Sequence, residues 1–202
     1  MKKNQRVQHG CNFLKIIIFL LLLAPMTIMA QSTYKLNAGS EQSLKVAGTS
    51  NVHDWTMTST GVESLGVFKF NNSDELIGLS GFTFTVLAKS LKSGKSSMDG
   101  RTYKSIKADQ FPKIAYVLKS AVITQKGEKY NIATTGNLTI AGVTQSISML
   151  VTAVVNPNKS ISCHGSEKLK LTDYQIDPPS FMLGAMKVGN DLVIQFDLTY
   201  SK

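Results

Sequence analysis

The sequence predicts an all-β fold, an elongated antiparallel β-barrel that is lipocalin-like and has one short helix around residues 96–108. The first observation is that apolar and polar residues alternate in several segments. This alternation is typical of strands with one buried face. The second is that short Gly-, Asn- and Pro-containing turns separate these segments. Long strands with short connections favour a closed barrel, because closure leaves no exposed edge.

The strand pattern is clearest over residues 81–87, 130–140, 147–155 and 192–200. One face of these segments carries the following mainly apolar residues: Phe82, Phe84 and Val86; Ile132, Thr134, Leu138 and Ile140; Met149, Val151, Ala153 and Val155; Leu192, Ile194, Phe196, Leu198 and Tyr200. Residues 173–184 lack the pattern and contain Pro178-Pro179, which excludes a central strand there. The alternation identifies two faces for each strand, and either one is open to being the inner face.

Residues 96–108 depart from the strand pattern and predict a short helix. Ser96 and Asp99 have the spacing of a capping pair. Apolar or small residues recur at helical spacing, at Met98, Thr102 and Ile106. Gly100 weakens the helix prediction, because glycine has low helix propensity.

The first 30 residues have the composition of a secretory signal peptide. A basic start is followed by the apolar stretch 16–24 and by a small residue, Ala30, before Gln31. The alternative is an uncleaved membrane anchor, but the stretch is shorter than the roughly 20 residues that span a bilayer. We therefore expect residues 1–30 to be removed, the protein to be exported, and residues 31–202 to form one domain.

Charge and cysteine content bound the function of residues 31–202. Four of the 22 basic residues and none of the 13 acidic ones precede Gln31, so the net charge falls from +9 to +5. This balance suits anionic lipids or substrates, and we expect no nucleic-acid partner. Cys163 is the single cysteine in this range, so an intramolecular disulfide is excluded. Its neighbour His164 should face the opposite way, so we predict no metal site and no cofactor.

Four phrases in order resemble the YceI-like family of bacterial polyisoprenoid- or lipid-binding barrels. They cover essentially all of residues 31–202 and read GTSNVHDW from Gly48, SLKSG from Ser90 with YKSIKADQFPKI from Tyr103, GNLTIAGVT from Gly136, and DPP from Asp177 followed by Met182-Leu183-Gly184. The resemblance implies a periplasmic, lipocalin-like barrel enclosing a long apolar channel. The signal shows export alone, so a secreted protein is the alternative location.

One position departs from the family pattern. Many members carry an Arg-Asp pair before the helix, where this chain has Met98-Asp99. If that arginine contacts a head group in relatives, the ligand of this protein differs or is held differently. Arg101 is two residues beyond Asp99, which is not the spacing of a simple exchange.

The site residues follow from the resemblance and from aromatic and basic content. We expect the channel to be lined by Trp55, Phe82, Phe84, Tyr103, Phe111, Phe181 and Met182. We expect the head group of a ligand to be held by His53, Arg101, Lys104 and Lys107. Arg101, Lys104 and Lys107 recur at three-residue steps and would share one helix face, which is either a cationic rim for a phosphate or membrane surface or simply a solvated face.

Three functions remain open from the sequence. We expect a non-enzymatic protein that sequesters a long-chain polyisoprenoid or fatty acyl amphiphile. The alternative is a filled barrel that binds an envelope protein or a membrane surface. An enzyme using His53, Asp54 or Asp99 is the third, although neighbouring strand residues point to opposite faces and no nucleophile or metal is recognisable. Residues 114–123 and 147–155 are apolar on both faces, so a homodimer is one way to cover their outer side.

Overall fold

The computed structural model describes residues 30–37 and 43–202, which form one antiparallel sheet and one α-helix. The predicted signal peptide lies outside these residues apart from Ala30, which begins the first strand. The strands are β1 (Ala30–Leu36), β2 (Ser43–Ser50), β3 (Trp55–Ser59), β4 (Val62–Phe70), β5 (Leu76–Leu87), β6 (Lys113–Lys126), β7 (Lys129–Ile140), β8 (Val143–Val155), β9 (Ile161–Lys170), β10 (Ser180–Phe181) and β11 (Met186–Ser201), and the helix is α1 (Ser96–Ser105).

Eight strands close into a ring in the order β1-β4-β5-β6-β7-β8-β9-β11. Closure is made by the first and last strands, where Leu36 pairs with Tyr200 and Lys35 with Ser201. The four segments with the clearest alternation lie in β5, β7, β8 and β11. The predicted all-β barrel is therefore confirmed.

The sheet divides in two toward one end. Beyond the end of β1, β2 takes its place beside β11 and pairs Leu44 with Phe196. β3 pairs with the edge of β2 that faces away from β11. β3 makes a single further bridge, between Thr58 and Lys92. On the other side of β11, β9 pairs with β8 only from Val151↔Gly165 to Val155↔Ile161. The ring is thus continuous at one end and loosened at the other.

The continuous end of the barrel is filled with side chains. The rings of Tyr34 and Phe68 meet edge to face, with centroids 5.3 Å apart, and Tyr200 packs against Phe68. The Tyr200 hydroxyl lies 3.0 Å from Ser64 Oγ, which also donates to the carbonyl of Thr83. Because the buried polar groups there are paired, this end forms a closed base.

The predicted short helix is confirmed as α1 and lies at the loosened end, but it is shorter than predicted and is capped differently. It ends at Ser105, and Lys107 beyond it has a left-handed backbone with φ 52°. The predicted pair of Ser96 and Asp99 is wrong. The Asp99 carboxylate instead accepts hydrogen bonds from the N–H and hydroxyl of Ser93, at 2.8 and 2.6 Å. No helix within the described ranges has the length and apolar content needed to cross a bilayer.

Candidate functional site

The loosened end of the barrel encloses a cavity of about 370 Å³, here called the mouth chamber. It lies between the inner faces of β2, β3, β5, β6, β7, β9 and β11 and one face of α1. Its walls are aliphatic and aromatic and include Leu44, Val46, Met57, Phe84, Leu138, Leu169 and Ile194. This volume is within the range of about 300–1,000 Å³ that is typical of small-molecule sites.

A second cavity of about 100 Å³, here called the far chamber, lies deeper in the barrel toward the closed base. Four residues line both chambers, namely Leu44, Phe84, Leu138 and Ile194. Phe82 and Tyr116 belong to the far chamber. The two cavities therefore adjoin, and we call them together the channel, which ends at the aromatic base.

Trp55 and His53 stand at the mouth of the channel, where β3 begins. The Trp55 indole N–H donates to the carbonyl of Thr49 at 3.1 Å, and the ring covers Gly48, which has no side chain to obstruct it. The nitrogen Nδ1 of His53 lies 2.8 Å from the backbone carbonyl of Asp54 rather than from its carboxylate. Both side chains line the mouth chamber, but the geometry gives no catalytic His-Asp pair.

Helix α1 supplies one wall through residues spaced three and four apart. Met98, Arg101, Thr102 and Ile106 line the mouth chamber, and the Thr102 hydroxyl contacts Met57 Sδ at 3.4 Å. The spacing of Met98, Thr102 and Ile106 was the basis of the helix prediction. It also identified lining residues, because a short amphipathic helix buries one face against the barrel.

The charged residues of the mouth chamber are cationic. Lys95, Arg101 and Lys170 line it, and no carboxylate in the described part of the chain does. The guanidinium of Arg101 lies over the ring of Phe181, 4.4 Å from its centroid. This arrangement suits a ligand with an apolar chain inside and a negatively charged or hydrogen-bond-accepting group at the mouth.

The Tyr174 hydroxyl and the Glu167 carboxyl belong to the walls of the two chambers, and the pKa of each is raised. The Tyr174 hydroxyl is buried with no hydrogen-bond partner among the described residues, and burial, with the charges of Asp173 and Glu167, raises the pKa of Tyr174 to about 12. Glu167 lines the far chamber, and burial raises the pKa of its carboxyl. Both groups favour their neutral forms, as expected beside an apolar cavity.

The structure brings together some of the residues predicted for the site and places others elsewhere. His53, Trp55, Phe84, Arg101 and Phe181 line the mouth chamber, and Phe82 and Phe84 line the far chamber. The remaining predicted residues, Tyr103, Phe111, Met182, Lys104 and Lys107, line neither chamber.

Tyr103 and Phe111 make structural contacts outside the two chambers. The Tyr103 hydroxyl accepts from Lys92 Nζ at 2.8 Å and lies 2.8 Å from the carbonyl of Leu91. Phe111 packs over Gly142, whose backbone is left-handed with φ 81°. Met182 is exposed on a loop, and Lys104 and Lys107 face solvent.

Sequence reasoning missed most of the aliphatic wall. Leu138, Ile140 and Ile194 were recognised as one face of a strand, without a signal for which face was inside. Met57, Leu169 and Tyr174 lie outside the segments of clearest alternation. The prediction that Cys163 and His164 face opposite ways is confirmed, because Cys163 is 6% exposed and His164 is on the surface. Within the described ranges, no group of three or more His, Cys, Asp or Glu could hold a metal ion.

Comparison with known protein families assigns the chain to one of them. The sequence model of the YceI-like domain family matches residues 31–200. The fold is similar to that of BcnA from Burkholderia cenocepacia, with a TM-score of 0.65 at 16% identity over 81% of this chain and 98% of that one. It is also similar to a polyisoprenoid-binding domain from Saccharophagus degradans, with a TM-score of 0.63 at 13% identity over 83% and 97% of the two chains.

A third similar structure is the YceI protein of Campylobacter jejuni, with a TM-score of 0.52 at 18% identity over 69% of this chain and 81% of that one. At these identities the solved structures show a shared fold and no more. No protein of curated function matches the chain.

Proposed function

From the premise that the chain belongs to the YceI-like domain family, we propose that it is an exported, non-enzymatic protein that sequesters a long-chain amphiphile. The proposed ligand is a polyisoprenoid or fatty acyl compound, and the proposed location is the periplasm. The observation that carries the proposal is the pair of adjoining apolar chambers that share Leu44, Phe84, Leu138 and Ile194. The polyisoprenoid-binding domain of Saccharophagus degradans supports the choice of ligand class.

The channel can hold a chain through burial of apolar surface alone. Each Å² of apolar surface removed from water contributes about 25 cal/mol, so a few hundred Å² yield several kcal/mol. After the cost of association, that supports affinities of about micromolar or better. The mouth would hold the polar end of the ligand, since Lys95 and Arg101 are the charged groups of α1 and its N-terminal flank that line it.

The alternative of a filled barrel fits only the closed base. Tyr34 and Phe68 pack against each other there, while Phe68 and Tyr200 also line the far chamber. The larger chamber lies at the mouth, so we favour the binding protein over a filled interaction module. A homodimer remains a separate proposal, for which the exposed side chains of Val122 and Leu150 on the outer wall are the candidates.

Native mass spectrometry tests the proposed function. The protein is purified from an envelope fraction without detergent and is measured before and after extraction with organic solvent. We expect an additional mass that disappears on extraction and fragments as an isoprenoid or acyl chain. An apo mass that also fails to shift when polyprenyl or fatty amphiphiles are added would overturn the proposal.

A further inference from the structure

Two loops at the channel mouth present large apolar side chains to solvent. Val52, Met182 and Leu183 are 59%, 73% and 109% exposed, and we name them the apolar lip. Their loop neighbours His53, Phe181 and Met186 line the mouth chamber. The apolar surface of the channel therefore continues outward onto the lip.

Asn51 joins the two loops into one unit. Its amide nitrogen Nδ2 donates to the carbonyl of Ala185 at 2.8 Å, and its Oδ1 accepts from the N–H of Lys187 at 2.7 Å. Its own N–H donates to the carbonyl of Lys187 at 3.0 Å. Val52 follows Asn51 directly, so these bonds hold it beside the loop that carries Met182 and Leu183.

The backbone of the lip is held in an unfavourable conformation. Met182 and Leu183 both have left-handed φ angles, 53° and 56°, which favour glycine or asparagine rather than large side chains. The turn is closed by the N–H of Gly184 on the carbonyl of Phe181 at 3.1 Å and the N–H of Ala185 on Met182 at 3.2 Å. Strain of this kind, at residues whose side chains are exposed, marks a candidate functional position.

The charged side chains that line the mouth chamber beside the lip are cationic, namely Lys95, Arg101 and Lys170. Lys187 belongs to the segment that Asn51 binds. Carboxylates occur nearby in the chain, and none of them lines the chamber; they are Asp54, Asp173, Asp177 and Asp191. The lining of the mouth therefore complements an anionic head group.

We propose that the apolar lip inserts into the interface of a bilayer that contains anionic phospholipid, with the channel mouth facing the acyl chains. Three apolar side chains beside basic residues match the requirements of peripheral membrane insertion. The lip is much smaller than the apolar core of a stable protein–protein interface. The purpose of such docking rests on the proposed function, because it would let the ligand pass between bilayer and channel without crossing water.

Cosedimentation with vesicles tests the proposal on the purified protein. We compare vesicles of phosphatidylcholine with vesicles that also contain phosphatidylglycerol. The test variant is Val52→Ser with Leu183→Ser. The matched control is Leu65→Ser with Ile77→Ser, which removes two aliphatic side chains of β4 and β5 that are 44% and 42% exposed and line neither chamber.

We expect binding to the anionic vesicles, a loss of at least about tenfold in the lip variant, and a change of less than about twofold in the control. Equal binding of the lip variant and the wild type would overturn the proposal, as would an absence of binding to anionic vesicles. Sedimentation velocity on the same samples tests whether the lip binds a second copy of the chain instead of a membrane. A dimer that becomes a monomer in the lip variant would make the lip an interface between copies and would also overturn the proposal.

Binding of a soluble fluorescent fatty acid, without vesicles, separates this proposal from the proposed function. Lip-dependent vesicle binding by a protein that takes up no fatty acid or polyprenyl probe would leave the docking proposal standing and remove the proposed function. Uptake of the probe with no vesicle binding would do the opposite.

Discussion

The guanidinium of Arg101 lies 4.4 Å from the centroid of the Phe181 ring, and this contact connects α1 to β10. Both side chains line the mouth chamber. Cation–π contacts at exposed sites contribute about 0.5–1 kcal/mol. A ligand could therefore replace this contact at little energetic cost.

Replacing Arg101 by Gln should weaken the binding of an anionic long-chain probe about tenfold, because the substitution removes both the contact with Phe181 and a cation at the mouth. Equilibrium titration and stopped-flow dissociation of a fluorescent fatty acid measure the effect. Lys104→Gln is the matched control, since Lys104 lies on the same helix and lines neither chamber. An equal loss in the two variants would show that Arg101 acts only through the net charge.

Replacing Trp55 by Ala should weaken binding more than it weakens folding. The indole ring covers the mouth and is half-buried, so its loss costs about 1–2 kcal/mol of ligand contact, or roughly tenfold in affinity. Probe titration and urea denaturation measure the two effects. Trp55→Phe should keep most of the affinity. Equal losses of binding and of unfolding free energy in Trp55→Ala would make Trp55 a core residue instead.

Leu138→Trp should shorten the channel, because Leu138 lines both chambers and a larger side chain there fills the passage between them. We expect the affinity for long-chain fatty acids to fall about tenfold while short chains bind nearly as in the wild type. Leu65→Trp is the control, because Leu65 is 44% exposed and lines neither chamber. Equal loss for all chain lengths would show that the chambers do not act as one channel.

Asp99 should make stability depend on acidic pH. Hydrogen bonds from the Ser93 side chain and backbone lower the pKa of this carboxyl below its ordinary value. A lowered pKa in the folded state stabilises the protein above the unfolded pKa of about 3.9, and that contribution is lost as the pH falls through the folded pKa. Urea denaturation should therefore show Asp99→Asn less stable than the wild type at neutral pH, with the difference narrowing in acid.

Asp109→Asn is the control for this titration. Asp109 pairs with Lys89 at 2.6 Å, but its side chain is 90% exposed. Exposed pairs contribute little because solvent screens them, so this variant should behave like the wild type at both pH values. A difference between Asp99→Asn and the wild type that stays constant down to strong acid would contradict the prediction.

Cys163 should be inert in the folded protein. Burial raises the pKa of its thiol to about 12, so little thiolate forms near neutral pH, and the side chain is 6% exposed. Labelling with a thiol reagent should be very slow in buffer and fast in denaturant, because the thiolate is the reactive form. Rapid labelling under native conditions would show that the barrel opens at β9.

The sequence contained enough to predict the barrel, but only part of the site. Alternation along β5, β7 and β11 defined the strands, because a strand exposes its two faces in turn. Helical spacing predicted that Lys104 and Lys107 share one helix face with Arg101. However, α1 ends at Ser105 and the backbone of Lys107 is left-handed, so Lys107 does not lie on that helix face. The pocket wall from Met57 to Tyr174 depends on contacts between distant segments, for which a single sequence carries no signal.

The pairing of β1 with β11 has a consequence for the order of folding. Leu36 and Tyr200 come from the two ends of the domain, so the last contacts of the ring have a very large separation in sequence. Such contacts form late, because the entropy of closing a long loop must be overcome first. A chain that emerges from its N-terminus during synthesis therefore cannot complete this ring before β11 has been made, so the barrel closes only after almost the whole domain is present.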